Sequence, residues 1–149
     1  MGIGITVLGI LGLDKWIKRY VDKQKEPKIY EHGCLTIKRC RNKGAVYEVG
    51  KEYAKELKIV SIALTAGVFV KWHQSIAKKI PWSEKFGYSL LLAGCLSNLW
   101  DRIKKGYVVD YIHVAKKGLR KIVFNLADVC IVVGGCIVCL WECFRIKEK

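Results

Sequence analysis

The sequence predicts an all-α membrane protein with four transmembrane helices and a small β-subdomain in the first loop. Hydrophobic residues make up 52% of the 149 residues and charged residues 27%, and the two kinds are segregated along the chain. Long apolar stretches between charged connections are typical of membrane spans, whereas a soluble core needs elements with one apolar and one polar face. The four apolar stretches are Gly2–Leu13, Leu57–Val70, Phe86–Trp100 and Ile122–Phe144.

The length of each stretch decides how well it can cross a bilayer, because a spanning helix needs roughly 17–25 residues. Only the last stretch reaches that length by itself. The other three reach it with their flanking residues, and short spans are accommodated by bilayer thinning and by Lys or Arg reaching the headgroups. We therefore expect one membrane-embedded domain over residues 1–149. Its helices are predicted at about 1–20, 56–72, 81–100 and 122–145.

The first apolar stretch is interpreted as a retained helix and not as a cleaved signal peptide. No Lys or Arg precedes Lys15, and no small-x-small cleavage site stands before the charges.

The first connection, residues 15–56, has the pattern of a small β-subdomain. Leu35 and Ile37 alternate with polar residues, and residues 41–44 have the composition of a turn before a second extended run. We place this subdomain at about residues 30–53, on the membrane surface.

The cysteines do not indicate a metal or redox site. Five of the seven lie inside the apolar stretches, where cysteine acts as a small hydrophobe. Cys136 and Cys139 have C-x-x-C spacing, but they lack a second pair and a nearby histidine, so no metal and no cofactor is predicted. Cys34 and Cys40 share the first loop and could form a disulfide if that loop lies outside the cytoplasm.

The net charge of +14 predicts an anionic partner. Basic proteins often bind nucleic acid, but no nucleic-acid motif is present here. The cations lie in loops beside apolar spans, so anionic lipid headgroups are the expected partner and nucleic acid is not.

Two acids stand where an ionisable side chain is costly, and such residues are functional candidates by default. Asp110 lies in an otherwise apolar extended run, and Asp128 lies at the opening of the last span, three residues after Asn125. Helix capping accounts for Asp128, because an acid is favoured in the first turn of a helix. Capping does not account for Asp110, so catalysis and a purely structural role both stay open from spacing alone.

Two carboxylates held close together cannot both ionise readily, so they share a proton and one pKa is raised. The charged member can activate water while the neutral member protonates the carbonyl or the leaving amine. The sequence lacks the motifs of other protease classes. The three histidines, His32, His73 and His113, form no H-E-x-x-H zinc-protease motif, and there is no G-x-S-x-G elbow of a serine hydrolase.

Five blocks of sequence together resemble the lipoprotein signal peptidase (signal peptidase II) family. Three are specific and stand in the family's order and spacing: Asn98–Arg102, Gly106–Tyr111 and Phe124–Asp128. Two are weaker: Asp14 with Lys18 resembles a first-helix D-x-x-x-K pattern, and residues 42–45 resemble an N-x-G-A turn. The resemblance covers nearly the whole chain.

This resemblance implies a monomeric, multi-pass aspartic endopeptidase of the bacterial cytoplasmic (inner) membrane, with an extracytoplasmic β-subdomain. Its partners would be membrane lipids and diacylglyceryl-modified prolipoproteins, which it would cut just before the lipobox Cys. By position, Asp110 and Asp128 match the catalytic pair. The matching substrate-binding or supporting positions are Asp14, Asn42, Gly44, Asn98, Arg102, Asn125 and Ala127.

Departures from the family pattern leave a second hypothesis open. Ser97 stands where the family usually has Gly, Tyr111 replaces Phe, and Tyr47 and Glu48 replace apolar and small residues. A non-catalytic lipopeptide-binding relative of the same fold is therefore the alternative. A transporter or pore would need more polar residues in mid-span, and a soluble nucleic-acid binder would need to be soluble without detergent.

The membrane orientation also stays open. With both termini in the cytoplasm, as the resemblance implies, the first and third connections lie outside and carry 12 and 7 Lys and Arg residues. The positive-inside rule predicts the opposite orientation.

Overall fold

The computed structural model describes residues 2–24, 28–32, 35–44, 51–114 and 122–147. This part of the chain is mostly helical and contains one small antiparallel sheet. In chain order the elements are α1 (Gly2–Lys23), β1 (Lys28–His32), β2 (Leu35–Asn42), α2 (Ala54–Ala77), α3 (Trp82–Lys105), β3 (Val108–Val114), β4 (Ile122–Phe124) and α4 (Leu126–Lys147).

Helix α3 is the centre of the helical layer, because it packs against α1, α2 and α4. Its buried residues include Leu92 and Ala93, which form a core cluster with Val7 of α1. The outer faces of the surrounding helices carry large exposed hydrophobic side chains, as at Leu8 and Leu64. This is a bundle with apolar residues inside and outside, which is the pattern expected when the surrounding medium is lipid.

Among the residues that the structure describes, two helices are long and apolar enough to cross a membrane, α2 with a mean hydropathy of 1.2 and α4 with 2.1. Helix α3 has the length of a span, but it is more polar because it buries Glu84, Asn98 and Asp101. Four spanning helices are therefore a proposal. Helix α3 falls short of the hydropathy of a span because it carries polar groups that face other parts of the protein.

Helices α3 and α4 approach closely because glycines face each other across their interface. A Cβ atom at Gly134 would lie 2.6 Å from the carbonyl oxygen of Gly87 and 2.7 Å from the backbone nitrogen of Leu91. Small residues of this kind let helix backbones pack tightly in a membrane, where hydrophobic burial between helices contributes little.

The sheet has the order β1-β2-β3-β4, and each neighbouring pair is antiparallel. The expected β-subdomain in the first loop is thus only half of the sheet. Strands β1 and β2 come from that loop, while β3 and β4 come from the connection between α3 and α4. Strand β3 pairs with β2 along a ladder that runs from Leu35 to Asn42, so an edge that would otherwise be open is covered.

The last helix begins at Leu126, and the prediction of a helix from residue 122 was wrong at this end. Residues Ile122–Phe124 form β4 and pair with Ile112–Val114 instead. A continuous apolar run cannot by itself distinguish a buried strand from the start of a helix. The other helices extend a few residues beyond their predicted ends.

Two predictions fall on residues outside the described part of the chain. These are the Cys34–Cys40 disulfide, because of Cys34, and the extended run that follows the turn at 41–44.

Candidate active site

Asp110 lies in the middle of β3 and is 2% exposed. Its Cα partner on β2 is Cys40, and Asn42 stands two residues further along that strand, on the same face of the sheet. Asn42 Nδ2 donates to Asp110 Oδ2 at 2.9 Å. The strand register therefore places an amide donor on a buried carboxylate.

Asp128 lies in the first turn of α4 and forms a reciprocal cap with Asn125. The backbone N–H of Asp128 donates to Asn125 Oδ1 at 3.0 Å, and Asp128 Oδ2 accepts the backbone N–H of Asn125 at 3.0 Å. This is the arrangement of a capping box, which satisfies two donors at the helix end. The other carboxylate oxygen accepts from Asn98 Nδ2 at 2.7 Å. Asp128 therefore both caps the helix and lies at the site.

Asn125 joins the two aspartates. Its side chain is fully buried, and Nδ2 donates to Asp110 Oδ1 at 2.7 Å and to Asn98 Oδ1 at 3.2 Å. The same residue caps the helix that carries Asp128. One asparagine thus fixes the strand, the central helix and the last helix relative to each other at the point where both carboxylates lie.

The electrostatic environment favours a proton on Asp110. The pKa of Asp110 is raised to about 6, chiefly by burial and also by the nearby charge of Asp128, although the hydrogen bonds from Asn42 and Asn125 and the charge of Lys18 act in the opposite direction. A raised pKa on one member is expected of two carboxylates in one site.

The start of α4 is held by two side chains from other elements. The backbone N–H of Leu126 donates to the Tyr111 hydroxyl at 3.1 Å, and that of Ala127 donates to Asp14 Oδ1 at 3.3 Å. The first N–H groups of a helix have no partner within the helix, so these bonds fix its position. Sequence reasoning saw Tyr111 only as a replacement for Phe and did not assign it this role.

A buried ionic network lies behind the site, centred on Lys18, whose side chain is 2% exposed. Lys18 Nζ lies 2.8 Å from Asp14 Oδ2 and 3.4 Å from Asp101 Oδ2. It also donates to Ser97 Oγ at 3.2 Å, and the Ser97 hydroxyl in turn donates to Asp14. Asp101 additionally accepts the backbone N–H of Val109 at 3.3 Å.

This network orients the side chain of Asn98. Lys18 Nζ donates to Asn98 Oδ1 at 2.9 Å, and Asn125 donates to the same oxygen. With two donors on its oxygen, the Asn98 amide must direct its nitrogen to Asp128. The hydrogen-bond pattern therefore fixes the amide in one of its two orientations.

The turn after β2 is tied to α3. The backbone N–H of Gly44 donates to Asn42 Oδ1 at 2.9 Å, an Asx turn that holds the Asn42 side chain in place. Arg102 donates from Nη2 to the Gly44 carbonyl at 3.4 Å. Gly44, predicted as a supporting residue, thus reaches the site through Asn42, and Arg102, also predicted, holds the same turn while lining the cleft itself.

The two aspartates line one cleft of about 650 Å³, bounded by α2, α3, α4 and the sheet. One part of its wall is polar and contains Asn42, Asn98, Arg102, Asp110 and Asp128. The rest is apolar. It is formed largely by Leu64, Leu99, Val108, Ile122, Val123, Phe124, Val129, Ile131, Val132 and Val133.

Comparison with solved structures shows the class of fold. Two structures described as bacterial membrane enzymes match with TM-scores of 0.81 and 0.77, each at 22% identity. The first match covers 99% of this chain and 91% of that chain, and the second covers 95% and 92%. The fold is therefore that of a bacterial membrane enzyme.

Comparison with sequences shows the family. The family model for signal peptidase (SPase) II matches residues 6–144. A lipoprotein signal peptidase of Clostridium tetani is 33% identical over 152 aligned positions, covering 99% of this chain and 94% of that protein. One of Clostridioides difficile is 30% identical, covering 94% and 93%. The chain belongs to the signal peptidase II family, which is a family of proteases.

Proposed function

We propose that this protein is an aspartic endopeptidase that removes the signal peptide from lipid-modified prolipoproteins. The family assignment supports peptidase activity, and its relatives carry the name lipoprotein signal peptidase. The observation that carries the proposal is the shared cleft, in which Asp110 and Asp128 are linked through Asn125 beside an apolar wall.

In the proposed mechanism the two aspartates hold one proton between them. Asp110 is the protonated member, because it is the more buried of the two and its pKa is raised to about 6. Asp128 is the ionised member and removes a proton from water as the water oxygen attacks the scissile carbonyl. Asp110 gives its proton to the carbonyl oxygen, so that a tetrahedral diol forms. The C–N bond then breaks as Asp128 returns its proton to the leaving amine, while Asp110 recovers a proton from the diol.

The supporting residues have defined parts in this scheme. Asn42 and Asn125 hold the Asp110 carboxyl by both oxygens, and Asn98 holds one oxygen of Asp128. A reacting group held within a fraction of an ångström avoids the large rate losses that misplacement causes. Asp14 and Ala127 act one step further out, because their bond fixes the start of the helix that carries Asp128.

The shape of the cleft supports a lipid-modified substrate. Leu64, Val129, Val132 and Val133 line the cleft and are also exposed on the outer surface of the helices. The cleft therefore opens sideways, toward the medium that surrounds α2 and α4. In a membrane, the acyl chains of a substrate can enter from the lipid and lie along these side chains, while the peptide lies at the polar end beside the aspartates.

We place the chain in the bacterial cytoplasmic membrane with four spanning helices and the sheet on the extracytoplasmic side. Helices α2 and α4 meet the length and hydropathy of spans, α3 packs between them, and α1 packs against α3. The two aspartates lie where the sheet meets the helix ends. In the proposed placement this is near the membrane surface, where water is available. The basic connections conflict with the positive-inside rule, and we attribute their charge to contact with anionic headgroups.

Ser97 no longer favours the alternative of a non-catalytic lipopeptide-binding protein. Ser97 stands in place of the family's usual Gly, but its hydroxyl takes part in the network that orients Asn98. This departure from the family pattern therefore adds a bond behind the site and does not favour a protein that only binds lipopeptides.

The experiment that tests the proposal is cleavage of a prolipoprotein by the purified protein in detergent. The substrate is supplied with and without the diacylglyceryl group, and the products are identified by mass spectrometry. We expect cleavage just before the lipobox Cys, and only of the modified form. A folded protein that binds the modified substrate without cutting it would instead support the lipopeptide-binding alternative.

A further inference from the structure

A second cavity lies on another side of the molecule, between α1 and α3. This groove has a volume of about 320 Å³ and shares no lining residue with the cleft that contains the aspartates. The proposed peptidase mechanism does not use it, so its composition calls for a separate explanation.

The groove changes from apolar to cationic along its length. On α1 its lining includes Leu11, Lys15 and Arg19, which recur every four residues and therefore share one face. At 1.5 Å of rise per residue, the backbone distance from Leu11 to Arg19 is about 12 Å. On α3 the lining runs in the same direction from Leu96 to Lys105. Both walls thus place leucine at one end and cations at the end nearer the sheet.

The cations on the floor of the groove are neutralised, but those on α1 at its rim are not. On the floor, Lys18 and Lys105 both pair with Asp101, at 3.4 and 3.1 Å. At the rim, neither Lys15 nor Arg19 makes an ion pair with any residue that the structure describes. The groove therefore carries two positive charges that have no carboxylate partner in the described part of the chain.

Aromatic side chains lie at the same level as these cations. Lys15 Nζ lies 4.4 Å from the centre of the Trp100 ring. About half or more of the surface is exposed in each of Trp16, Tyr20 and Trp100. Exposed Trp and Tyr beside Lys and Arg are typical of the headgroup region of a membrane. The cationic end of the groove is thus placed at the depth of lipid phosphates, and its leucine end at the depth of acyl chains.

We propose that this groove is a binding site for an anionic phospholipid, whose phosphate headgroup contacts Lys15 and Arg19 and whose acyl chain lies against Leu11 and Leu96. The site is separate from the substrate cleft, and the lipid is a bound partner and not a substrate. The inference rests on the membrane placement under the proposed function. A free phosphate ion would satisfy the cations but would leave the apolar end of the groove unfilled.

The test is competition between two lipids for the purified protein, measured by native mass spectrometry. Equimolar phosphatidylglycerol and phosphatidylcholine are added to the protein in detergent, and the retained lipid is identified. Each basic residue near a lipid surface changes anionic lipid affinity by about fivefold, so the double variant Lys15→Gln with Arg19→Gln should lower the preference for phosphatidylglycerol on the order of 25-fold.

The matched control is Lys78→Gln with Lys79→Gln, which makes the same change in net charge at an exposed pair outside the groove. We expect this control to keep the preference of the wild type. Equal loss in both double variants would overturn the proposal, because it would show only a general attraction of a basic protein for anions. No preference in the wild type would overturn it as well.

Two further arms separate the possible sources of a negative result. Inorganic phosphate is added in excess, and displacement of phosphatidylglycerol by phosphate alone would show an ion site and contradict a lipid site. Thermal unfolding of each variant shows whether it is folded. Prolipoprotein cleavage is measured on the same samples, so a failed lipid site in an active peptidase is distinguishable from failure of the proposed function.

Discussion

Asn125 donates from its side-chain amide to Asp110 Oδ1 at 2.7 Å, across the boundary between the sheet and the last helix. The bond matters because the same asparagine caps the helix that carries the second aspartate. The relative position of the two carboxylates therefore depends on one fully buried side chain.

Asn125→Ser separates the two roles of Asn125. Serine is a good N-cap, so α4 should keep its start, but the bond to Asp110 is lost. We expect kcat/KM for prolipoprotein cleavage to fall on the order of 100-fold, the cost of misplacing a reacting group. Asn125→Ala should lose the same activity and, in addition, about 1 kcal/mol of stability. Wild-type cleavage by Asn125→Ser would show that the bridge is not needed.

The pH dependence of cleavage should report the proton on Asp110. Because burial raises the pKa of Asp110 to about 6, kcat/KM should decline as the pH rises through that range. Asn42 donates to the charged form and lowers this pKa, so Asn42→Ala should raise it. The declining limb should therefore move to higher pH.

The measurement is the full pH–rate profile of both proteins, with Glu142→Gln as the control. Glu142 is a half-exposed partner of Arg145, nine residues after Val133, the last residue of α4 that lines the cleft, and its replacement should leave the profile in place. A limb that moves to lower pH in Asn42→Ala would contradict the assignment of the proton.

Lys18→Met should destabilise the protein strongly. The change leaves Asp14 and Asp101 as buried carboxylates without their shared cation, and breaking a buried ion pair in this way costs about 3–5 kcal/mol. Unfolding in detergent measures the loss. Lys58→Met removes a cation from the exposed face of α2 and should change stability little. Similar stability of the two variants would argue against the network.

Gly134→Ala should weaken the packing of α3 on α4, since its Cβ would lie 2.6 Å from a backbone oxygen of α3. Gly135 offers a matched control one residue away, because a Cβ there meets no atom within 4 Å. We expect Gly134→Ala to lower the unfolding temperature while Gly135→Ala leaves it the same or raises it, because alanine is the better helix former. Reversed effects would show that the helices pack differently.

The sequence predicted the two aspartates and the asparagine that the structure brings together at one cleft. Asp110 attracted notice as the single acid in an apolar strand, and Asp128 with Asn125 as polar residues at the opening of an apolar helix. These signals are local, because an ionisable group in an apolar run is costly wherever the run lies in the fold.

The contacts that depend on distant parts of the chain were not predictable. Lys18 and Asp101 are far apart in sequence, and nothing local indicates that they meet. The first connection and the connection between α3 and α4 form one sheet because β2 pairs with β3. This pairing is set by register and not by composition. The start of α4 was misplaced for the same reason, since Ile122–Phe124 are apolar enough for either structure and only their partner strand decides.

The hydrogen bond of Tyr111 is another contact that the sequence does not predict. As an aromatic residue in a strand it is expected in the core, and it is buried there. Its hydroxyl, however, accepts the first N–H of α4, a bond that the Phe usual in the family cannot make. A sequence shows that a hydroxyl is present but not which helix end it meets.

The central claim is that Asp110 and Asp128 act as one catalytic pair, and single-turnover cleavage of a diacylglyceryl-modified prolipoprotein tests it most directly. Asp110→Asn, Asp128→Asn and the double variant are compared with the wild type and with Glu142→Gln, each checked for folding by thermal unfolding. Residues that act as a unit are non-additive, so we predict that each single variant loses cleavage as completely as the double variant. Substantial cleavage by either single variant in the folded state would contradict the account.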